Sequence, residues 1–303
     1  MEFIFLGTGA GLPSKNRNVT AIALWLEQRG SFWLFDCGEA TQHQIMETKV
    51  KLGKIEKIFI THLHGDHIFG LPGLLGSRSF QGSGKALVIY GPPGLKAFIE
   101  TALATSKTHL TYELSIVEVA EGCVLKEDGF SVICQKLAHG IDSYGYRIEQ
   151  EDVPGALLAE KLKAAGIVPG PLCAKLKRGE DVLLEDGRLI KSEQFIGAPK
   201  PGKILAVLGD TRYCEAAVQL AKGADWLVHE ATFKASDAKM AHDYFHSTTV
   251  EAATVAKSAG AKNLIMTHIS SRYPLEDEAL LLKEAAAIFP NSFLAHDLKE
   301  FQI

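Results

Sequence analysis

The 303-residue chain is expected to be an α/β protein, and three features of the sequence say so. Short apolar, β-branched runs such as Ile58-Phe59-Ile60 and Ile204-Leu205-Ala206-Val207 alternate with stretches of helical periodicity. The order of strands and helices over residues 1–149 is roughly echoed over residues 203–303, without a residue-level repeat. Several of the apolar runs also end in a histidine or an aspartate. A hydrophobic share of 47% supplies enough core for one large domain, so residues 1–303 are expected to form a single domain carrying an insert at 150–203.

Taken in order, Met1 to Leu6 reads as a first strand running into the flexible Gly7-Thr8-Gly9 loop, and not as a cleaved leader. Thr20 to Leu26 and Phe32 to Phe35 form paired strands turning at Arg29-Gly30, followed by a short helix from Ala40 to Thr48 with Ile45 and Met46 as core contacts. His43, on that helix, is expected to be structural. A helix starts near Leu71, with Pro72 tolerated in its first turn. Ala86 to Tyr90 is a strand and Leu95 to Ala104 a helix. Leu114 to Val119, Cys123 to Leu125 and Phe130 to Leu137 are further strands, the last ending at His139.

The pattern changes between about Gln150 and Lys203. Pro154 to Gly166 is a short amphipathic helix, Val168-Pro169-Gly170-Pro171 a rigid break, and Asp186-Gly187 a hairpin turn. From Ala156 to Arg178 the cations Lys161, Lys163, Lys175, Lys177 and Arg178 face Glu160 alone. Regular structure returns with the strand ending at Asp210, a helix from Tyr213 to Lys222, a strand from Asp225 to His229 and a helix from Val250 to Ser258. A strand ending at His268, a helix from Leu280 to Ile288 and a last strand from Ser292 complete the chain.

A formal net charge of -4 excludes a generally basic nucleic-acid coat, so a nucleic-acid substrate requires a local basic patch. Five scattered cysteines without a CxxC pair fit a reducing compartment, and no apolar run reaches the roughly 18 residues of a membrane span. A cytoplasmic protein without membrane association is expected.

The chemistry concentrates in Thr61-His62-Leu63-His64-Gly65-Asp66-His67, directly after an apolar strand. On an extended backbone His62 and His64 share a face, and Gly65 permits a turn that aims Asp66 and His67 at a neighbouring point. Nitrogen and oxygen donors of this kind suit Zn²⁺, with Mn²⁺ as the alternative. Later strand ends add His139, Asp210 and His268.

The HxHxDH arrangement resembles the metallo-β-lactamase superfamily. That resemblance implies an αββα sandwich, two mixed sheets flanked by helices, with His62, His64 and His139 on one zinc, Asp66, His67 and His268 on a second, and Asp210 bridging them. Lowering the pKa of a water from about 15.7 to about 7 is worth roughly 12 kcal/mol in hydroxide formation, which favours a metal hydroxide as nucleophile, with Asp66 orienting the water or accepting its proton.

His229-Glu230-Ala231-Thr232, His246-Ser247-Thr248 and the PxKxRN loop at Pro13 to Asn18 are similar to signatures of the ribonuclease Z branch. The likeness extends over essentially the whole chain. It implies a zinc-dependent endoribonuclease that removes the 3′ trailer of precursor tRNA and leaves a 3′-hydroxyl, with His246, paired to Glu230, protonating the leaving oxygen. It also implies Lys15 and Arg17 on phosphates, the basic insert as a protruding flexible arm gripping tRNA, and a homodimer. Two other readings compete: a small-substrate phosphodiesterase or glyoxalase II-like hydrolase on the same fold, which has no use for a basic arm, and an RNA-binding module with structural zinc, which has no use for an acid such as His246.

Overall fold

The protein is described from a computed structural model covering residues 1–303 apart from 83, 169, 185 and 186. The Asp186-Gly187 turn and the break at Pro169 therefore fall partly outside the described residues. The chain separates into two compact units: Met1–Lys126, Ser131–Ile148 and Ile204–Ile303 in the first, Glu127–Phe130 and Glu149–Lys203 in the second.

Two seven-stranded mixed sheets organise the first unit. One runs in the order Glu300–Gln302, Glu2–Gly7, Ala21–Leu26, Ser31–Phe35, Ile55–Phe59, Leu87–Gly91 and Leu114–Glu118. The other runs Ser292–Leu294, Leu264–Thr267, Trp226–Glu230, Ile204–Val207, Tyr144–Gln150, Phe130–Lys136 and Gly122–Glu127. Strand alternation sorts the side chains into layers. Phe35 and Phe59 meet Tyr146 of the second sheet, with ring centroids 6.3 and 5.2 Å away, and the buried Tyr146 hydroxyl donates to the Ile60 carbonyl at 2.6 Å. On the far side of the first sheet, Ile4, Leu6 and Ile58 pack with Ile45, Leu74, Leu75 and Ile99 of helices Thr41–Met46, Leu71–Phe80 and Leu95–Thr105. Ala206, Leu227 and Met266 of the second sheet pack with Val218, Ala252, Val255 and Leu281 of helices Glu215–Leu220, Thr249–Ala259 and Glu278–Ile288. This is the expected sandwich of two sheets between helical layers.

Two strands of the seven-stranded sheets escaped the sequence reading. Tyr144–Gln150 lies inside the second sheet, and its alternation of Tyr144, Tyr146 and Ile148 is the signal that reveals it. Glu300–Gln302 returns to the first sheet beside Glu2–Gly7. Met46 is 69% exposed and not a core contact, because the six-residue helix turns Thr41 and Ile45 inward and leaves Met46 on its outer face.

The second unit has its own small core of Leu162, Ile167, Leu176, Val182, Ile190 and Phe195. The helix expected over 154–166 is confined to Ala159–Ala164, because Val153 and Leu157 instead make bridges to Lys200 and Ile196. A second helix spans Pro171–Lys177, with Pro171 at its start, and Val182–Leu183 pairs with Leu189–Ile190.

Burial pushes the thiols of Cys37 and Cys134 up to about 12. Alkylation of the native protein at about pH 8 is therefore expected to label the exposed Cys123 and spare Cys37 and Cys134. Peptide mass spectrometry reads this directly, and native labelling of Cys37 would contradict the packing described.

Candidate metal centre

The site is assembled where strands stop. His62 to His67 follow Ile55–Phe59, His139 follows Phe130–Lys136, Asp210 follows Ile204–Val207, and His268 follows Leu264–Thr267. All seven expected donors come together in two groups: His62, His64, His139 and Asp210, and Asp66, His67 and His268. Asp210 Oδ2 lies 3.6 Å from His62 Nε2 in the first group and 3.6 and 3.4 Å from His67 and His268 Nε2 in the second.

The tautomers are fixed by what the rings touch on their other side. The Thr61 hydroxyl donates to Asp36 Oδ2 at 2.9 Å, so it accepts the Nδ1–H of His62 at 3.0 Å. The Thr232 hydroxyl donates to Glu230 Oε2 at 2.6 Å and likewise accepts from His268 Nδ1 at 2.9 Å. His67 Nδ1 donates to Asp36 Oδ2 at 2.8 Å, and His139 Nδ1 to the Phe245 carbonyl at 2.8 Å. Each of these four rings therefore turns its Nε2 into the cluster.

His64 Nδ1 lies 3.0 Å from His62 Nε2 and 3.2 Å from His139 Nε2, and His67 and His268 Nε2 are 3.3 Å apart. One proton on His64 cannot satisfy two such neighbours, and the Nε2 atoms of His67 and His268 face each other beside the Asp66 carboxylate. Lone pairs that converge in this way fit a cation. Ligands on a tetrahedral zinc with bonds of about 2.0–2.1 Å stand roughly 3.3 Å apart, in keeping with these spacings. With the fold, these donor groups support a metal cofactor.

Backbone strain gathers at the same place. Asp36, Phe245 and His268 hold left-handed conformations at φ 59°, 61° and 58°, each costing about 1–3 kcal/mol for a residue other than glycine. Close approach matters as well: a Cβ on Gly209 would lie 2.6 Å from Thr61 Cβ and 2.7 Å from Ser143 Oγ.

Asp36, Thr61, Thr232 and the Phe245 carbonyl were not foreseen as site groups, since their roles depend on contacts between separate strands. Asp36→Ala is expected to weaken metal binding roughly 10–100-fold, as outer partners of ligand histidines generally do. Metal titration of the apoprotein measures it, and unchanged affinity would reduce Asp36 to a packing role.

Beside the cluster, His246 Nδ1 is 2.9 Å from Glu230 Oε1, and its side chain is 17% exposed. Burial pushes the imidazole down, but the Glu230 and Asp210 carboxylates outweigh it and hold His246 up at about 9. Burial raises the Glu230 carboxyl, yet His246 keeps it below its ordinary range. The backbone N–H of Thr211 also donates to Glu230 Oε1, at 2.9 Å.

Arg17 is placed differently from expectation. It is 7% exposed, and its guanidinium turns inward to the Ala295 carbonyl at 2.7 Å, the Thr8 hydroxyl and the Glu278 carboxylate, so it pins the loop instead of meeting phosphates. Lys15 is exposed. In the insert, Arg178 pairs with Glu180 at 2.6 Å and Lys161 donates to the Gln194 carbonyl at 3.1 Å. Residues 149–203 carry nine basic and nine acidic side chains, so the insert is locally rather than generally basic.

Known proteins resemble the chain over its whole length. The family model described as Anti-Pycsar protein Apyc1 matches residues 1–145, and that of the beta-lactamase superfamily domain matches residues 194–269. The chain is 57% identical over 304 aligned residues to a ribonuclease Z of Geobacillus kaustophilus (strain HTA426), covering 100% of this chain and 99% of that one. It is 59% identical to a ribonuclease Z of Anoxybacillus flavithermus (strain DSM 21510 / WK1), covering 100% and 97%. Among solved structures, the short form of human tRNase Z superposes with a TM-score of 0.72 at 32% identity, covering 100% and 99% of the two chains. The chain belongs to the ribonuclease Z family of the metallo-β-lactamase superfamily.

Proposed function

We propose that the chain is an endoribonuclease that removes the 3′ trailer of precursor tRNA, using two Zn²⁺ per subunit, or Mn²⁺ in their place, as a cytoplasmic homodimer. The observation that carries this reading is the His246–Glu230 pair beside two converging donor groups, with Asp210 of the first lying 3.6 and 3.4 Å from His67 and His268 of the second. His62, His64 and His139 would hold one ion, Asp66, His67 and His268 the other, with Asp210 between them. When bound, such ions acidify a water to serve as nucleophile and polarise the phosphoryl oxygens.

The chain's own residues do the rest. Asp66 Oδ2, fixed by the Gly11 N–H at 2.8 Å, orients the attacking water or receives its proton. Glu230 keeps His246 protonated, and His246 hands that proton to the 3′ oxygen as its bond to phosphorus breaks. A ribose alkoxide is a poor leaving group, which is why a phosphodiesterase benefits from an acid here. The tRNA keeps a 3′-hydroxyl and the trailer keeps the phosphate.

Lys163, Lys175 and Lys177, on the two helices of the insert, and Lys15 are assigned to tRNA phosphates, with Lys161 and Arg178 contributing from their paired positions. Replacing Lys163, Lys175 and Lys177 together by alanine is expected to weaken precursor-tRNA binding while sparing hydrolysis of a small phosphodiester. The log–log salt slope of binding is expected to flatten by about one unit for every phosphate that is no longer neutralised. An unchanged tRNA affinity and salt slope would remove the insert from the reading.

A further inference from the structure

Two cavities meet at the metal cluster and share a wall made by Gly11, Leu12, His64 and Asp66. The first, about 420 Å³, also contains His246, Tyr244, Phe233 and Arg272. The second, about 480 Å³, contains Glu39, Gly65 and Phe69 but neither His246 nor Asp210.

The first cavity offers what a nucleotide needs. Tyr244 is 64% exposed. The Arg272 guanidinium lies over the Phe233 ring at 4.9 Å with its Nε on Ser270 Oγ at 3.0 Å, and among the described residues no carboxylate pairs with it. An aromatic face beside such a cation suits a base and its 5′ phosphate.

The second cavity holds a different platform. Phe69 is 64% exposed, yet its ring rests against Gly65, where a Cβ would come within 2.2 Å of it. A ring that is both exposed and seated loses little freedom when a base stacks on it. The Glu39 carboxylate on the same wall disfavours a phosphate and favours a base edge.

Chemistry assigns the two cavities. In the cleavage proposed above, the phosphorus–O3′ bond breaks, the proton of His246 goes to O3′, and the water oxygen stays on the trailer phosphate. The nucleoside bearing O3′ must therefore lie on the His246 side of the cluster. We propose that the shared wall sorts the substrate by strand polarity: the last retained nucleotide of the tRNA occupies the Tyr244–Arg272 cavity, and the first trailer nucleotide stacks on Phe69.

This assignment rests on His246 acting as the acid, and the test separates the two. Wild type, Phe69→Ala, Phe69→Tyr, Tyr244→Ala and His246→Ala, each metal-loaded, are compared for kcat/KM on precursor tRNA and for inhibition by trailer-free tRNA. Phe69→Ala is expected to lower kcat/KM about fivefold or more, the low end of one base–aromatic stack, without changing the inhibition constant of trailer-free tRNA. Phe69→Tyr, which keeps the ring, restores kcat/KM. Tyr244→Ala is expected to raise that inhibition constant about fivefold or more. Weakened inhibition in Phe69→Ala, unaltered inhibition in Tyr244→Ala, or unaltered kcat/KM in Phe69→Ala overturns the polarity assignment while leaving the acid role of His246 standing. Wild-type kcat in His246→Ala overturns both.

Discussion

Asp66→Ala is expected to reduce precursor-tRNA cleavage by more than about 100-fold, since even partners outside the ligand shell cost roughly 10–100-fold. Asp66 Oδ2 stands 3.3 Å from His268 Nε2 and 3.4 Å from His67 Nε2, and it accepts the Gly11 N–H at 2.8 Å. Burial raises the carboxyl, but His268 and His67 overcome this and keep it well below the usual carboxylate range, so it is an anion at working pH. Its removal takes a donor from the second group. Metal content per subunit is expected to fall together with turnover. Normal turnover by the variant would sink the two-ion proposal.

His246→Ala is expected to lower kcat about 10²–10⁴-fold, the usual worth of a positioned general acid, with metal content unchanged. The competent form of His246 is the protonated one, and its carboxylate neighbours hold it up at about 9. The sign follows from this: acid competence is complete below that value and is lost as pH rises through it. Cations on the adjacent ligands oppose the carboxylates, so the basic limb of kcat falls at or below about pH 9 and disappears in the variant. A variant that loses metal, or keeps the wild-type basic limb, would assign His246 to the metal instead of to the leaving oxygen.

How much of this was legible in the sequence depended on how local each role is. His62, His64, Asp66 and His67 crowd into one short stretch after one strand, so their spacing alone announces a cluster. His139, Asp210 and His268 were readable because each follows an apolar run, and the fold brings those strand ends to one place. Asp36 gave no such signal, since its work is done on Thr61 and His67, 25 and 31 residues away. Arg17 was misread for the same reason: a cation in a polar loop looks free until Glu278 and the Ala295 carbonyl, more than 250 residues on, are folded against it. The insert's lysines were visible, whereas the acids that balance them lie largely beyond the window that showed the excess.

Cleavage is expected to depend on metal and to leave a 3′-hydroxyl on the tRNA. Precursor tRNA labelled at its 5′ end, incubated with the protein before and after chelation and after zinc is restored, tests it most directly. One cut at the trailer junction is predicted, giving tRNA with a 3′-hydroxyl and trailer with a 5′-phosphate, abolished by the chelator and recovered with zinc. Cleavage that survives chelation, or tRNA ending in a 3′-phosphate, would contradict it.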